Sequence, residues 1–422
     1  MREQEAPRAR VAVISLHTSP LDPPGTGDSG GMNVHIRETV HRLADRGVAV
    51  DVFTRCAGRG VPEAERIAPL ARVIQVQAGP CAPVRKEELP GLVPLFGRSF
   101  LDRELPPYDL VHAHYWLSGE AGLAAARTWG VPLVVSFHTL ARVKNASLAP
   151  DDRPEPEWRI RGEEMLIRAA DRVVVPTPVE GADLARLYGS PRDGIRVVTP
   201  GVDGRRFRPR SRSGSKMAWG LAGRTVALFV GRLQPHKSPD VAIRAVAEAV
   251  RADPDATSDL ELVLAGGASS TAAWEPDHLR DLARREGIAD RVRLVDSVLH
   301  EELPCLYAAA DVLLMPSRSE SFGLAALEAQ ACGTPVVSSA AGGLRFVVAD
   351  GETGFVVDGH DPRDHADRML RIIRDPRLAR RMGAAAVDRA AGFPWERSTS
   401  RLLAVYGELV PALAEGGLAV AQ

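Results

Sequence analysis

The chain has 422 residues, 45% of them hydrophobic, and its 53 basic and 54 acidic residues leave a formal net charge of −1. That length exceeds what a single growing core accommodates, so two domains are expected. The charge balance excludes a chain-wide attraction to nucleic acid or to an anionic membrane. The four cysteines, Cys56, Cys81, Cys305 and Cys332, are scattered, with neither metal-type spacing nor a redox pair. Such usage fits core thiols in a reducing cytoplasm. The polar N-terminus leads into VAVISL, an apolar run far too short to span a bilayer. A soluble cytoplasmic protein without signal peptide, transmembrane helix or stable membrane insertion is expected.

In chain order, VAVISL reads as a strand, followed by the loop HTSPLDPPGTGDSGGMN and an amphipathic helix. Ile36, Val40 and Leu43 share one face of that helix, and Gly47 ends it. VAVDVF, RVIQVQ, YDLVHAHY, PLVVSFH, RVVVPT and GIRVVTPG follow as strands with helices between several of them. This alternation predicts an α/β fold with a parallel sheet covered on both faces. Gly30-Gly31 would let backbone N–H groups approach a phosphate or sugar closely, although an ordinary tight turn uses the same pair. Asn33 opens the helix, either as a cap or as a polyol ligand.

Polar residues cluster at the C-terminal ends of strands, where open α/β sheets bind ligands. They are His17-Thr18, the run His112 to Trp116, and His138-Thr139. Alternation puts His112 and His114 on one side of their strand. No third ligand at a sensible spacing accompanies them, so a zinc site is not expected. His138 ends an apolar strand, where packing does not explain a polar side chain; hydrogen bonding or acid–base work would. In PEPEWRIRGEEM, Arg159 and Arg161 are either phosphate partners or plain surface charge.

Residues 204–220 are basic and poor in large apolar groups, and read as a linker. A second α/β set begins with the strand VALFV, whose following loop carries Arg232 and Lys237, a pair suited to a pyrophosphate. ELVLAGG, RVRLVDS, DVLLMPS, PVVSSAAGG and GFVVDG supply further strands. The stretch SRSESFGLAALEAQACGT places Glu320 just before a helix starting near Phe322 and Glu328 about two turns beyond it. The two carboxylates could hold hydroxyls while the helix start holds a phosphate; helix capping and surface charge are the plain alternative. Trp395 to Leu409 forms a last helix, and a Gly/Ala-rich tail is expected to fray. The predicted organisation is an N-terminal domain over 1–203, the linker 204–220, a second domain over 221–394, and a C-terminal helix and tail over 395–422 that can pack back on the first domain.

Taken together, GTGDSGGMN, VGRLQPHK, ESFGLAALE and DGETGFVVDG, in this order along nearly the whole chain, resemble the retaining glycosyltransferases of the GT-B type (family 4), with two Rossmann-like domains facing a cleft. HTSPLDPPGTGDSGGMNV, GPCAPVRKEELP, HAHYWLSGE, HTLARVKN and PEPEWRIRGEE are similar to the branch of that family acting on inositol phosphate. The resemblance implies UDP-N-acetylglucosamine as donor and 1D-myo-inositol 3-phosphate as acceptor, the opening step of mycothiol biosynthesis. By motif it assigns His17, Asn33, Lys86, Tyr115, Thr139 and Arg159 to the acceptor. It assigns Pro23, Pro24, Gly31, Arg232, Lys237, Val298, Glu320 and Glu328 to the donor, with His138, Arg232, Lys237 and Glu320 carrying the chemistry. No cofactor is required for that chemistry. A structural magnesium at Tyr307, Ala308, Ala310 and Thr334 is a further implication, and a homodimer is left open. The sequence departs from the family pattern at Cys81-Ala82, His35, His236, Ser238 and Arg345-Phe346, the mark of a diverged member or a paralogue. The competing readings are another acceptor, such as a different sugar phosphate or phosphatidylinositol, and a nucleotide-sugar epimerase.

Overall fold

A computed structural model of the chain describes residues 7–25, 27–58, 60–149, 152–267, 276–296 and 298–414; most of the expected fraying tail lies outside them. One sheet contains β1 (Ala9–Ile14), β2 (Val48–Arg55), β3 (Ala64–Ala68), β4 (Ala71–Val76), β5 (Leu110–His114), β6 (Leu133–Ser136), β7 (Arg172–Val175) and β8 (Ile195–Val197). Their spatial order is β3-β4-β2-β1-β5-β6-β7-β8. Every neighbouring pair is parallel except the edge strand β3, which runs antiparallel to β4. The second sheet contains β9 (Thr225–Val230), β10 (Leu260–Ala265), β11 (Val292–Val295), β12 (Val312–Met315), β13 (Val336–Ser339) and β14 (Gly354–Val357), in the order β11-β10-β9-β12-β13-β14 and wholly parallel. Strands such as β2, β5, β10 and β12 are buried along their whole length, which explains their near-continuous apolar runs. Asp51 on β2 is tolerated there because Arg72 binds it at 2.7 Å and the Tyr108 hydroxyl donates to it at 2.6 Å.

Strand β3 was not anticipated. Its sequence, AERIA, is exposed and charged and shows no buried face, so it carries no strand signature. Residues 204–220 also differ from a bare linker. They hold a helix, Arg212–Ala218, capped by the Ser211 hydroxyl accepting from the Gly214 N–H. Phe207 is buried beside His300 and Tyr307, and Lys216 binds Asp311 at 2.7 Å. Arg212 also binds Asp311, at 3.3 Å, so one aromatic and a few polar contacts dock the segment, which overall composition hides.

Two crossings join the lobes, side by side. The Val202 N–H donates to the Phe393 carbonyl at 2.8 Å, and a Cβ on Gly201 would lie 2.4 Å from the Trp395 nitrogen. Beyond the second crossing the helix Trp395–Gly407 packs on the first sheet, burying Leu402, Leu403 and Tyr406 with Val11 and Val13. The last described α-helix thus packs on the lobe that holds β1.

The cysteine reading needs correction. Cys56 follows β2 and Cys81 follows β4, neighbouring strands, and the two form a disulfide with Cα atoms 5.0 Å apart. A separation of 25 residues in sequence conceals a contact that strand pairing creates. Cys305 and Cys332 are free thiols. Among the described residues no helix is long and apolar enough to cross a membrane.

Candidate active site in the interdomain cleft

Strand order locates the site. In the first sheet the order reverses at β1 and β5, and in the second at β9 and β12; crevices open at such switch points. His17 follows β1 and Tyr115 follows β5, while Arg232 follows β9 and Glu320 follows β12. A cavity of about 300 Å³ lies between the two sets.

On the second lobe, Lys237 Nζ binds Glu320 Oε2 at 2.5 Å. Arg232 reaches across the cleft to Asp28, Nη1 to Oδ1 3.6 Å. Burial pulls its guanidinium below the usual range, opposed by Asp28 and Glu320; arginine nevertheless stays charged. The helix Leu324–Ala331 starts after Gly323, whose φ of 102° suits glycine, two residues later than the expected start at Phe322. Gly342 and Gly343 press against the turn before it. A Cβ at Gly342 would lie 2.2 Å from the Glu320 carbonyl oxygen, and the Gly343 N–H donates to that oxygen at 2.8 Å. Glu328, on the helix, accepts from the Tyr307 hydroxyl at 3.1 Å and contacts His300 Nε2 at 3.0 Å. Gly30 and Gly31 serve a lobe-to-lobe approach, since a Cβ on Gly31 would be 3.3 Å from Leu324 Cδ1.

His138 sits at the junction of the lobes, with a left-handed φ of 60° that is costly outside glycine. Its carbonyl accepts a short hydrogen bond from the Ser321 hydroxyl of the facing lobe. Its Nε2 contacts His114 Nδ1 at 2.8 Å. Part of the residue opens on the cleft, but the ring is shielded from water. That burial, with His35, His112 and His17 nearby, holds its pKa well below the usual imidazole value. A lowered pKa favours the neutral ring, which can offer a hydrogen bond to a ligand in the cleft. His112 is a satisfied core residue: Nδ1 meets the Tyr406 hydroxyl at 2.6 Å and Nε2 meets Ser136 Oγ at 2.9 Å.

On the first lobe a buried ion network surrounds Arg159. Its Nε donates to Glu163 at 2.8 Å, Nη1 lies 2.8 Å from Glu155, and Nη2 donates to the Thr139 hydroxyl at 3.1 Å. Burial works against its charge, but Tyr115, Glu163 and Glu155 outweigh it and raise the guanidinium pKa. Lys144 pairs closely with Glu155. Burial would raise the Glu155 pKa, yet Arg159 and Lys144 bring it down to about 2. Arg159 and Lys86 both lie over the Tyr115 ring, at 5.1 and 5.9 Å from its centroid. His17 packs on the same ring, and burial followed by Lys86 brings its pKa to about 3. Its Nδ1 is buried without a hydrogen-bond partner among the described residues. Arg161 lies outside the network, exposed and paired with Glu157. Asn33 is spent within the loop after β1: it accepts from the Gly30 N–H at 3.0 Å and donates to Thr18 Oγ1 at 2.7 Å.

Two family models match the chain, one described as Glycosyltransferase Family 4 over residues 29–206 and one as Glycosyl transferases group 1 over residues 218–389. A D-inositol 3-phosphate glycosyltransferase of Nocardiopsis dassonvillei is 50% identical over 410 residues, covering 96% of this chain and 95% of the relative. One from Thermobifida fusca is 48% identical, covering 96% and 94%. The chain belongs to the D-inositol 3-phosphate glycosyltransferase family. Among solved structures, a sucrose-phosphate synthase from Thermosynechococcus elongatus matches with a TM-score of 0.87 at 31% identity, covering 96% of this chain and 100% of the other. Anabaena HepE in complex with UDP and glucose, 20% identical over 95% of this chain and 100% of that one with a TM-score of 0.73, shares the fold. The GT-B architecture expected from the sequence is therefore present.

In this glycosyltransferase the cavity is lined by Pro24, Gly31, Arg232, Lys237, Val298, Glu320 and Glu328, with His138 and Thr139 at its edge toward the first lobe. Pro23 is exposed beside it, and His17, Lys86, Tyr115 and Arg159 form the separate cationic corner behind Thr139. Sequence reasoning missed Lys144, Asp28 and His300. Lys144 lay within the quoted HTLARVKN, and its spacing from His138 is the signal that could have found it. The set Tyr307, Ala308, Ala310 and Thr334 is a poor fit for magnesium. It contains no carboxylate, and the Tyr307 carbonyl already accepts the Thr334 hydroxyl at 2.7 Å and the Ala310 N–H at 3.1 Å.

Proposed function

We propose that this glycosyltransferase moves N-acetylglucosamine from UDP-N-acetylglucosamine to 1D-myo-inositol 3-phosphate with retention of configuration, as the first step of mycothiol biosynthesis. The observation that carries the reading is the partition of charge across the cleft. A cation pair and two carboxylates stand on the second lobe, a cationic corner with hydroxyls stands on the first, and His138 lies between them. The near relatives' printed name supports the acceptor.

In this reading Glu328 takes the ribose hydroxyls, and its position is fixed by His300 and Tyr307. Arg232, Lys237 and the N-terminus of the helix Leu324–Ala331 neutralise the pyrophosphate as UDP departs. Glu320, freed from Lys237 when the donor enters, takes sugar hydroxyls. Lys86 and Arg159 hold the acceptor phosphate, with the Thr139 and Tyr115 hydroxyls beside it. The bond from the anomeric carbon to UDP breaks and a bond to the acceptor oxygen forms on the same face. The acceptor proton passes to a phosphate oxygen of the leaving UDP. Front-face attack is favoured because the named cleft carboxylates have other work in this reading: Glu320 on the sugar hydroxyls, Glu328 with His300 and Tyr307, Asp28 with Arg232. Neutral His138 orients the sugar by hydrogen bonding, and no step is routed through a metal.

The test is UDP release from UDP-N-acetylglucosamine with and without 1D-myo-inositol 3-phosphate, with the product anomer read by NMR. Acceptor-dependent release of an α-linked product is expected. Release indifferent to the acceptor would point to hydrolysis or epimerase-like chemistry. A second reading, transfer to another sugar phosphate, is favoured by the 31% identity to a sucrose-phosphate synthase. Turnover with a hexose phosphate but not with the inositol phosphate would select it.

A further inference from the structure

We propose that the Cys56–Cys81 disulfide is a reversible redox site that sets how firmly the Lys86 loop grips an acceptor phosphate; the assignment of Lys86 rests on the acceptor reading above. The argument starts from strand pairing. β2 and β4 are parallel neighbours, and the Cys56 N–H continues their ladder by donating to the Val76 carbonyl at 2.8 Å. The connection leaving β4 therefore starts beside Cys56, and the bridge pins it at Cys81.

A second tie holds the same place. The Arg55 side chain is buried, and its guanidinium donates at 2.8 Å to the carbonyls of Cys56, Pro80 and Ala82. Two of these carbonyls bracket Cys81. Beyond them no helix or strand forms before Leu89; the exposed Arg85–Glu88 pair at 2.6 Å is a weak restraint, joined by the Leu89 N–H donating to the Lys86 carbonyl at 3.3 Å and by Val84 packing on the core. Lys86 lies in this stretch, five residues past the bridge by sequence number. Its ammonium reaches over Tyr115 and bears on the protonation of His17, Lys144 and Glu155. Small movements of the loop therefore change the cationic corner directly.

The bridge is placed for exchange. Cys81 is half-buried while Cys56 is 9% exposed, so an incoming thiol meets the Cys81 sulfur first. A low-molecular-weight thiolate attacks Cys81 Sγ, forming a mixed disulfide and releasing the Cys56 thiolate. A second thiolate resolves the mixed disulfide and frees Cys81. The protein gains two electrons and two protons, and two thiols become one small-molecule disulfide. Arg55 still holds Pro80 and Ala82 afterwards, so the fold persists, but the start of the Lys86 loop is then anchored by hydrogen bonds alone, without the covalent tie at Cys81. Loosening a pre-organised binding group weakens ligand binding without new repulsion.

The experiment compares oxidised enzyme with enzyme reduced by dithiothreitol, with the Cys56–Cys81 linkage scored in each by peptide mass mapping. Reduction should raise the KM for 1D-myo-inositol 3-phosphate about fivefold, the scale expected for a binding group held too loosely, and reoxidation should restore it. The donor KM and acceptor-independent UDP release should stay unchanged. Cys81→Ser should sit at the reduced value and ignore dithiothreitol. Calorimetric titration with inorganic phosphate gives a readout free of the acceptor's identity, with weaker binding expected in the reduced protein. A linkage that is made and broken while acceptor KM and phosphate affinity stay constant would overturn the proposal, as would oxidised protein lacking the linkage. Absence of turnover with the inositol phosphate in both states would refute the acceptor reading, and the phosphate titration would still decide the redox site.

Discussion

The two walls of the cleft hold charge in opposite ways. On the second lobe Lys237 and Glu320 form one pair, with side chains 19% and 16% exposed, at the mouth of a turn. On the first lobe Arg159 and Glu163 are 2% and 0% exposed and share partners with Glu155, Thr139, Tyr188 and the Ala141 N–H. A pair open to the cleft exchanges its partner when a ligand arrives. A buried lattice keeps its internal partners and serves as a fixed frame to which a ligand can only be added. In the proposed reading the Lys237–Glu320 pair rearranges around the donor, while Arg159 keeps its carboxylates and meets the acceptor phosphate from a frame already in place.

The largest effect should come from breaking the frame. Arg159→Ala leaves Glu163 buried without its cation and Glu155 with Lys144 alone, a loss of about 3–5 kcal/mol. Chemical denaturation should show it, and Arg159→Lys should recover only part because one ammonium cannot replace the fork. If Arg159→Ala is as stable as the parent, the frame reading is wrong. On the other wall, Lys237→Ala and Glu320→Gln should leave the melting temperature nearly unchanged while lowering kcat about 10²–10³-fold, as losing an electrostatic stabiliser does. Normal turnover in both variants would remove them from the chemistry.

Acid should distinguish the walls next. Burial holds His35 near 4, His17 and His112 near 3, and His114, His138 and His236 well below 6.5. Below about 6.5 the unfolded chain binds protons that the folded chain refuses, so stability falls as pH drops through the folded values. Each such histidine contributes a slope of up to about 1.4 kcal/mol per pH unit. Glu180 acts in reverse: its pKa is raised by burial to about 7, so its contribution is present at low pH and lost as pH rises through that value. Melting curves between pH 4 and pH 8 should therefore show an acid-side loss dominated by histidines, four of which belong to the first lobe's His35–His112–His114–His138 stack. Flat stability down to pH 4 would contradict the neutral stack.

Smaller effects refine the donor wall. Glu328→Gln should raise the donor KM about tenfold, about 1.4 kcal/mol, with the acceptor KM unchanged in initial-rate kinetics. Gly31→Ala asks Leu324 to give way by a few tenths of an ångström, and should lower kcat by about threefold or less.

Much of the second lobe's charged cluster was legible in the sequence because its groups are local. Arg232 and Lys237 share one strand-end loop, and Glu320 and Glu328 share one turn and helix. The acceptor wall was legible only through the family resemblance, since Lys86, Tyr115, Thr139 and Arg159 come from four separate segments. The sequence also misdirected in places. Arg159 and Arg161 looked alike on paper, and only the helix orientation buries one and exposes the other. Asn33 suited both a cap and a ligand; in the structure Gly30 is the N-cap, and Asn33, three residues on, accepts from the Gly30 N–H and donates to Thr18 in the loop after β1.

By itself the sequence determined the alternation of buried strands and amphipathic helices, hence two parallel-sheet lobes, because apolar periodicity is a local property of the chain. Tertiary structure alone decided which strand ends meet. It brought Cys56 to Cys81 through the β2–β4 pairing and set Tyr406 of the last helix on His112. It also joined Ser321 to the His138 carbonyl across the cleft. These contacts depend on strand order and on how the lobes fold over one another, and no short window of residues encodes either.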